Sequence, residues 1–202
     1  MKTYLTLAVL AAITMALLAA TGFVAARVAT RDATMDTLDP MLPVRAAAAA
    51  TAPRLPDLGT APEFTGLTEW INGPPRTLAS LRGHVVLVKF WAYRCINCEH
   101  TLAATRSWYE RYHGTGLEIV AVHTPELADE RVPANVRAAV RSDSIAYPVA
   151  LDPGYATWKA WKNEAWPAFY LVDVRGHVRY TRIGEGGYAE TERAIQELLA
   201  GR

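Results

Sequence analysis

The sequence predicts an α/β protein built as a three-layer α/β/α sandwich with a mixed central sheet, and three observations favour this class. Two apolar runs rich in β-branched residues, 85–90 and 117–123, have the character of strands buried on both faces. Segments with helical spacing alternate with these runs, which is typical of strand–helix–strand units with parallel strands. Two later apolar runs flank Arg175-Gly176 and predict a hairpin that adds antiparallel strands.

The first 62 residues precede the predicted domain. Lys2 is followed by an uncharged apolar stretch, residues 3–26, which at ~1.5 Å per residue can cross a hydrocarbon layer of ~30 Å. We therefore expect residues 1–26 to form a hydrophobic helix that anchors the chain in the cell membrane with its C-terminal part extracytoplasmic. Val24-Ala25-Ala26 leaves a cleaved signal peptide as the alternative. Residues 27–62 are rich in Ala and Pro and predict an extended linker.

Composition and charge limit the classes of function. The length of 202 residues fits one domain, predicted at 63–202, together with these extensions. The formal net charge is +1, which offers no basic surface for a nucleic acid, so a nucleic acid is not an expected partner. Two cysteines are too few for a disulfide-based scaffold.

The domain begins with a predicted hairpin, strands 67–71 and 77–81, around the turn-forming Asn72-Gly73-Pro74-Pro75. The strand at 85–90 leads into a helix expected to run from Cys95 to about His113, where glycines end it. The remaining pattern predicts a strand at 117–123, a helix at 133–142, a strand at 147–151, a helix at 155–162, strands at 168–174 and 177–183, and a helix at 191–199.

The only two cysteines, Cys95 and Cys98, stand where the buried strand gives way to a helix. At positions i and i+3 their sulfurs lie within one helical turn, close enough to bridge. The unpaired N–H groups at a helix start favour a thiolate there. Cys95 is therefore the candidate nucleophile, and Cys98 is the candidate resolving thiol. The adjacent Arg94 is either a favourable charge for a Cys95 thiolate or simply a solvated surface residue.

Three other uses of the cysteine pair are weighed against thiol-disulfide exchange. A structural zinc site needs about four ligands, and a second Cys or His pair with suitable spacing is missing, so no metal is expected. Covalent haem attachment needs His directly after Cys98, where Glu99 stands. A static disulfide or a pair of inert thiols would not need the reactivity that a helix start confers.

Several short strings give the chain a family likeness. They are Cys-Ile-Asn-Cys at 95–98, Val-His-Thr-Pro-Glu at 122–126, Tyr-Pro-Val-Ala-Leu-Asp at 147–152, Tyr-Ala-Thr-Trp at 155–158, Trp-Pro-Ala at 166–168 and Gly-Glu-Gly at 184–186. With these strings the chain resembles thioredoxin-fold proteins of the TlpA/DipZ-like redoxin group over about residues 62–199. The resemblance implies a thioredoxin-like fold and a cis Pro167 that faces the cysteines and binds substrate together with Trp166.

The same resemblance implies an extracytoplasmic thiol-disulfide oxidoreductase that acts on protein thiols and disulfides, without a bound cofactor. It favours a reductase supplied with electrons by a membrane carrier of the CcdA or DsbD type. The first alternative is a thiol peroxidase, but the usual Thr-x-x-Cys spacing is missing before Cys95. The second is a non-enzymatic copper carrier, although Sco-like carriers use a Cys-x-x-x-Cys spacing.

The chain departs from the family pattern at two positions. Thioredoxins have a buried acid where Lys89 stands, and relatives commonly have a proline where Ala103 stands, so a straighter helix is expected. Because neighbouring parallel strands end at one edge of a sheet, the segment after His123 should approach the cysteines. A buried lysine is costly unless it is paired, so our hypothesis is that Glu126 reaches Lys89 and replaces the missing acid. The alternative is that Glu126 lies on the loop surface and that Lys89 extends outward to solvent.

Overall fold

A computed structural model describes residues 55–202 of the chain. The predicted hydrophobic helix at 1–26 and most of the predicted linker lie outside the described residues. Within residues 55–202, no helix combines the length and the apolar character needed to cross a membrane.

From residue 85 onward, the strands and helices follow the predicted order. The strands are β1 (Glu69–Ile71), β2 (Val85–Trp91), β3 (Leu117–His123), β4 (Val149–Leu151), β5 (Ala168–Val172) and β6 (Val178–Ile183). The helices are α1 (Ile96–His100), α2 (Leu102–Tyr112), α3 (Pro133–Ser142), α4 (Ala156–Ala160) and α5 (Tyr188–Ala200). Short 3₁₀ turns cover Ala79–Leu81, His113–Thr115 and Ala128–Arg131.

The strands form one mixed sheet in the order β1-β4-β3-β2-β5-β6. Strands β2, β3 and β4 are parallel, whereas β1, β5 and β6 pair antiparallel with their neighbours. Every residue of β2 and β3 is buried, as their predominantly apolar character requires of central strands. The parallel centre and the C-terminal hairpin are therefore confirmed.

Both faces of the sheet are covered, which makes three layers. One core packs the side chains of Val85, Leu87 and Trp91 against α2, α3 and α5. The other core packs Val86, Val88 and Phe90 against α4 and the segment before β2. Because side chains alternate across a strand, β2 supplies both cores and lies at the centre of the molecule.

The predicted N-terminal hairpin is wrong. β1 pairs antiparallel with β4, and residues 79–81 form a 3₁₀ turn instead of a strand. Thr77 and Ser80 exchange side-chain and backbone hydrogen bonds, and the Glu63 carboxylate accepts the N–H groups of Leu78 and Ala79. These local bonds satisfy the backbone as a turn and compete with strand pairing.

The straight helix predicted after Cys95 is also wrong. It is broken at Thr101 into α1 and α2, although Ala103 stands in place of a proline. The Thr101 hydroxyl donates to the carbonyl of Cys98 at 2.6 Å, and the Thr105 hydroxyl donates to the carbonyl of Thr101 at 2.9 Å. Hydroxyl groups that bond back to the preceding turn bend helices, which explains the break without a proline.

The folded domain begins earlier than predicted. Residues 55–61, which we assigned to the linker, lie beside β6 and the turn before it. The N–H of Leu58 donates to the carbonyl of Val178 at 2.9 Å, and Thr60 and His177 form an antiparallel bridge. The high density of prolines predicted a linker here, and hydrogen bonds to a distant segment cannot be recognised from local composition.

Candidate active site

Cys95 and Cys98 form a disulfide at the start of α1, with their Cα atoms 5.1 Å apart. Cys95 has an extended backbone and is the N-cap of the helix, and its sulfur accepts the N–H of Cys98 at 3.2 Å. The same N–H also donates to the carbonyl of Cys95 at 2.9 Å, so the sulfur shares this donor with the backbone. A thiolate at Cys95 would receive the same donor, so the sequence places a stabilising contact on the predicted nucleophile.

The two sulfurs differ in access. Cys98 is 1% exposed and belongs to the core under α1, whereas Cys95 is only half-buried. Ile96, between them, is 61% exposed and gives the rim of the site an apolar side chain. A molecule in solution can therefore reach the sulfur of Cys95 but not that of Cys98.

Trp166 and Pro167 lie at the same end of the sheet as the disulfide. Ala168, the next residue, pairs with Phe90 near the end of β2, and the Trp166–Pro167 bond is cis, as the family likeness implied. The indole N–H of Trp166 donates to the carbonyl of Thr124 at 3.0 Å. No turn or loop hydrogen bond among residues 55–202 engages the backbone of Trp166.

The guanidinium of Arg94 is paired with a carboxylate and is not free to interact with the cysteines. Its Nη1 lies 2.8 Å from a carboxylate oxygen of Asp129, which also accepts the hydroxyl of Tyr93 at 3.3 Å. This pairing raises the pKa of Arg94 and lowers the pKa of Asp129. Both side chains are about half exposed, so the pair contributes little to stability.

Lys89 is fully buried on the face of β2 that packs against α2. Its nitrogen lies 3.4 Å from the hydroxyl oxygen of Thr105 and within 6 Å of the ring centres of Trp91 and Phe169. Desolvation lowers its pKa to about 7, partly offset by the charge of Asp143. Lys89 therefore loses its charge at a lower pH than an exposed lysine does.

The expected pairing of Glu126 with Lys89 is wrong. The side chain of Glu126 is exposed in the loop after β3, and within residues 55–202 no carboxylate forms an ion pair with Lys89. The loop does approach the cysteine end of the sheet, since the N–H of Thr124 donates to the carbonyl of Trp91 at 3.1 Å. The backbone thus follows the predicted course, while the acidic side chain turns to solvent.

His123 ends β3 beside Trp91 and is 1% exposed. Its ring stacks on Tyr93 with centres 5.8 Å apart, and within the described residues its Nε2 has no hydrogen-bond partner. Desolvation lowers its pKa to about 4, against the raising effect of Glu130. At neutral pH His123 is an uncharged packing residue under the loop that precedes Cys95.

The residue that sequence reasoning missed is Glu130. It is 2% exposed in the 3₁₀ turn after β3, and one carboxylate oxygen accepts the N–H of Arg94 at 2.9 Å. The other oxygen accepts the N–H groups of Glu126 and Leu127 at 2.6 and 2.7 Å. Nothing in the sequence distinguishes it from the exposed acids Glu126 and Asp129, because its partners come from the tertiary structure.

No group of three or more His, Cys, Asp or Glu side chains within residues 55–202 is arranged to hold a metal ion.

Comparison with known proteins assigns the chain to a family. The AhpC/TSA family model matches residues 59–181. The protein DipZ of Mycobacterium tuberculosis is 48% identical over 151 residues, which is 73% of this chain but only 22% of DipZ. The thiol-disulfide oxidoreductase ResA of Bacillus cereus is 30% identical over 128 residues, 63% of this chain and 71% of ResA.

Solved structures agree with this assignment. A thioredoxin-like protein in its oxidised form, determined in solution, superposes with a TM-score of 0.65 at 28% sequence identity. The match covers 71% of this chain and 96% of that protein. The predicted fold and the predicted enzyme class are both confirmed. The chain therefore belongs to the AhpC/TSA family, as a thioredoxin-fold thiol-disulfide oxidoreductase of the TlpA/DipZ-like group.

Proposed function

We propose that this protein reduces disulfides of other proteins on the extracytoplasmic side of a membrane, through Cys95 and Cys98. The observation that carries this proposal is the unequal access of the two sulfurs, with Cys95 open at the end of the sheet and Cys98 enclosed. An exchange centre needs one sulfur that meets the substrate and one that acts from within.

The reaction runs in two displacements. The Cys95 thiolate attacks one sulfur of a substrate disulfide, forming a mixed disulfide and releasing the other substrate sulfur as a thiolate, which takes up a proton. The thiolate of Cys98, having given up its proton, then attacks the sulfur of Cys95. The second substrate thiol leaves, two electrons have passed to the substrate, and Cys95–Cys98 is the oxidised product.

The surroundings of Cys95 favour a polypeptide substrate. Ile96 and Ile183 are exposed apolar side chains at the cysteine end of the sheet, and Trp166 offers a half-buried ring. The backbone of Trp166 would pair with an extended substrate segment, with apolar contacts around it. A small-molecule thiol would use little of this surface.

The direction and the location of the reaction follow from family likeness and from residues 1–26. We propose that these residues anchor the domain in the cell membrane, and that a membrane carrier of the CcdA or DsbD type reduces the Cys95–Cys98 disulfide. A thiol-reactive reagent that cannot cross membranes tests the location. It should label the reduced cysteines in intact cells, whereas labelling only after lysis would contradict the extracytoplasmic placement.

Trapping tests the roles of the cysteines. The Cys98→Ser variant should accumulate a mixed disulfide between Cys95 and a model protein with scrambled disulfides, because the resolving thiol is missing. Cys95→Ser is the matched control and should trap nothing. If Cys95→Ser traps substrate and Cys98→Ser does not, the assigned roles are reversed.

The equilibrium potential of the cysteine couple tests the direction. A value near the ~−270 mV of thioredoxin supports a reductase, and a value near the ~−120 mV of DsbA identifies an oxidant instead. Turnover of hydrogen peroxide with dithiothreitol, measured beside disulfide reduction, distinguishes a peroxidase. Peroxide turnover faster than disulfide reduction would replace the proposed function.

A further inference from the structure

The Glu130 carboxylate joins two loops that the sequence keeps 36 residues apart. Its Oε1 accepts the N–H of Arg94, directly before Cys95, and its Oε2 accepts two N–H groups of its own loop, those of Glu126 and Leu127. The bonds to Oε2 are local and belong to the turn itself. The bond to Arg94 is not needed by that turn and reaches the cysteine loop.

We propose that Glu130 is a positioning residue for the exchange reaction, holding the backbone before Cys95 so that the Cys95 sulfur meets the N–H of Cys98. The inference rests on the proposed function only for the use made of Cys95. The carboxylate touches neither the sulfurs nor a substrate in this arrangement, so it acts through the loop.

The 3₁₀ turn that contains Glu130 is held in place by further hydrogen bonds. Arg131 donates to the carbonyl of Pro153 at 2.6 Å, and Asn135 donates to the carbonyl of Asp129 at 3.0 Å. These bonds tie the 3₁₀ turn to the segment after β4 and to α3. A buried carboxylate that accepts three N–H groups and stands in a fixed turn holds those donors in place, since hydrogen bonds to an ionised group are short and strong.

The cysteine loop has few other supports of its own. Between the end of β2 and Cys95, the backbone bond from the Cys95 N–H to the carbonyl of Ala92 is 3.4 Å long. Arg94 and Tyr93 reach Asp129 with exposed or half-buried side chains, which solvent can replace. The buried bond to Glu130 is therefore the contact whose loss would let the loop shift.

The Glu130→Gln substitution tests the bond to Arg94 separately from the bonds within the turn. The amide has one oxygen and one NH₂ group, and an NH₂ group cannot accept an N–H. Its oxygen should face Glu126 and Leu127, where two donors converge, leaving the N–H of Arg94 without an acceptor. The substitution thus keeps the local turn and releases the cysteine loop.

The sign of the change in the pKa of Cys95 distinguishes positioning from simple charge. Removing a buried negative charge would lower the pKa of the reduced Cys95 thiol. Losing the aligned N–H of Cys98 would raise it, by about one unit for a lost bond to a charged group. We expect the pKa of Cys95 to rise, which the pH dependence of alkylation by iodoacetamide measures. Exchange at pH 7 should be about threefold slower, because the smaller thiolate fraction is partly compensated by the higher nucleophilicity of the thiolate.

Hydrogen exchange of the Arg94 amide gives the second readout, in the oxidised protein. It should accelerate in Glu130→Gln and stay at the wild-type rate in Asp129→Asn, the matched control that alters only the side-chain contacts of Arg94 and Tyr93. An unchanged Arg94 amide, or a Cys95 pKa that stays or falls, would overturn the inference. Neither readout uses a protein substrate, so failure of the trapping experiment would be seen separately.

Two further measurements test the inference if the Glu130→Gln variant does not fold. Glu130→Asp keeps the charge but is one methylene too short to reach both loops, so it should also raise the Cys95 pKa, whereas a charge-only role predicts no change. In the wild-type protein, a scalar coupling across the hydrogen bond between the Arg94 nitrogen and the Glu130 carboxyl carbon should be detectable. Its absence under conditions that show backbone couplings would contradict the contact itself.

Discussion

The side-chain nitrogen of Lys89 lies 3.4 Å from the hydroxyl oxygen of Thr105, in the closed space between β2 and α2. Thr105 donates its own hydroxyl hydrogen to the carbonyl of Thr101, so the lone pairs of its oxygen are available to Lys89. A hydroxyl is a weak partner for a buried ammonium, and burial lowers the pKa of Lys89 to about 7. The lysine side chain is therefore a cost to stability that depends on pH.

Lys89→Met should stabilise the protein, most strongly in acid. In the unfolded chain the lysine pKa is ~10.5, so between pH 7 and that value the unfolded state binds more protons than the folded state, and wild-type stability rises with pH. Below pH 7 both states are charged and the full penalty applies, at most about 5 kcal/mol. The gain from methionine should shrink by about 1.4 kcal/mol for each pH unit above 7.

Urea unfolding of the oxidised protein at pH 6, 7, 8 and 9 measures this gain. The wild-type protein in the same buffers is the reference, because other groups titrate equally in both. A gain that stays constant from pH 6 to pH 9 would show that Lys89 keeps an ordinary pKa in the folded protein.

Thr105→Val should destabilise the protein more than Thr105→Ser. Valine removes the hydroxyl and leaves the nitrogen of Lys89 without a partner, which costs about 1–3 kcal/mol. Serine keeps the hydroxyl and loses one methyl group, worth about 0.8 kcal/mol. Urea midpoints of the two variants at pH 6 give the comparison, and equal losses would mean that the hydroxyl does not interact with Lys89.

His123→Phe should reduce the acid sensitivity of the fold. The pKa of His123 is lowered to about 4, so between that value and ~6.5 the unfolded state binds more protons and stability falls as the pH falls. This contribution is about 3 kcal/mol across the window. Phenylalanine cannot be protonated, and thermal unfolding at pH 4.5 and 7 should differ less in the variant than in the wild type.

Trp166→Phe and Trp161→Phe form a matched pair. The indole N–H of Trp166 donates to the carbonyl of Thr124, whereas among the described residues that of the buried Trp161 has no acceptor. Loss of the Trp166 bond should cost about 1 kcal/mol, and loss of the Trp161 N–H should be neutral or stabilising. Trp166→Phe should also slow exchange with a peptide disulfide more than exchange with oxidised glutathione, since Thr124 and Trp166 lie at the cysteine end of the sheet.

The parts of the fold that could be predicted are those written in local pattern. The central strands β2 and β3 are predominantly apolar runs, and the hairpin of β5 and β6 has its turn in Arg175-Gly176. The partner of β1 could not be predicted, because Asn72-Gly73-Pro74-Pro75 reads as a hairpin turn. The amide of Asn72 instead donates to carbonyls of Ile145 and Tyr147 before β4, a contact set by packing.

The candidate site divides in the same way. Spacing and helix position identified Cys95 and Cys98, and the family likeness identified the cis bond at Pro167. The sequence also marked Lys89 as unusual, but it could not indicate a partner sixteen residues later on another element. The choice of Glu130 over Glu126 as the buried acid depends on which side chain faces the backbone of Arg94, and a single sequence contains no trace of that geometry.

The bridge between Thr60 and His177 has a practical consequence for shortened versions of the protein. It covers the outer side of β6 at its beginning, where an edge strand would otherwise present unpaired backbone groups. A truncation that starts at Glu63 would strip away this cover. Such a fragment would keep its cysteines but would expose unpaired backbone groups of β6. These groups would pair with strands of other molecules and cause precipitation at high concentration.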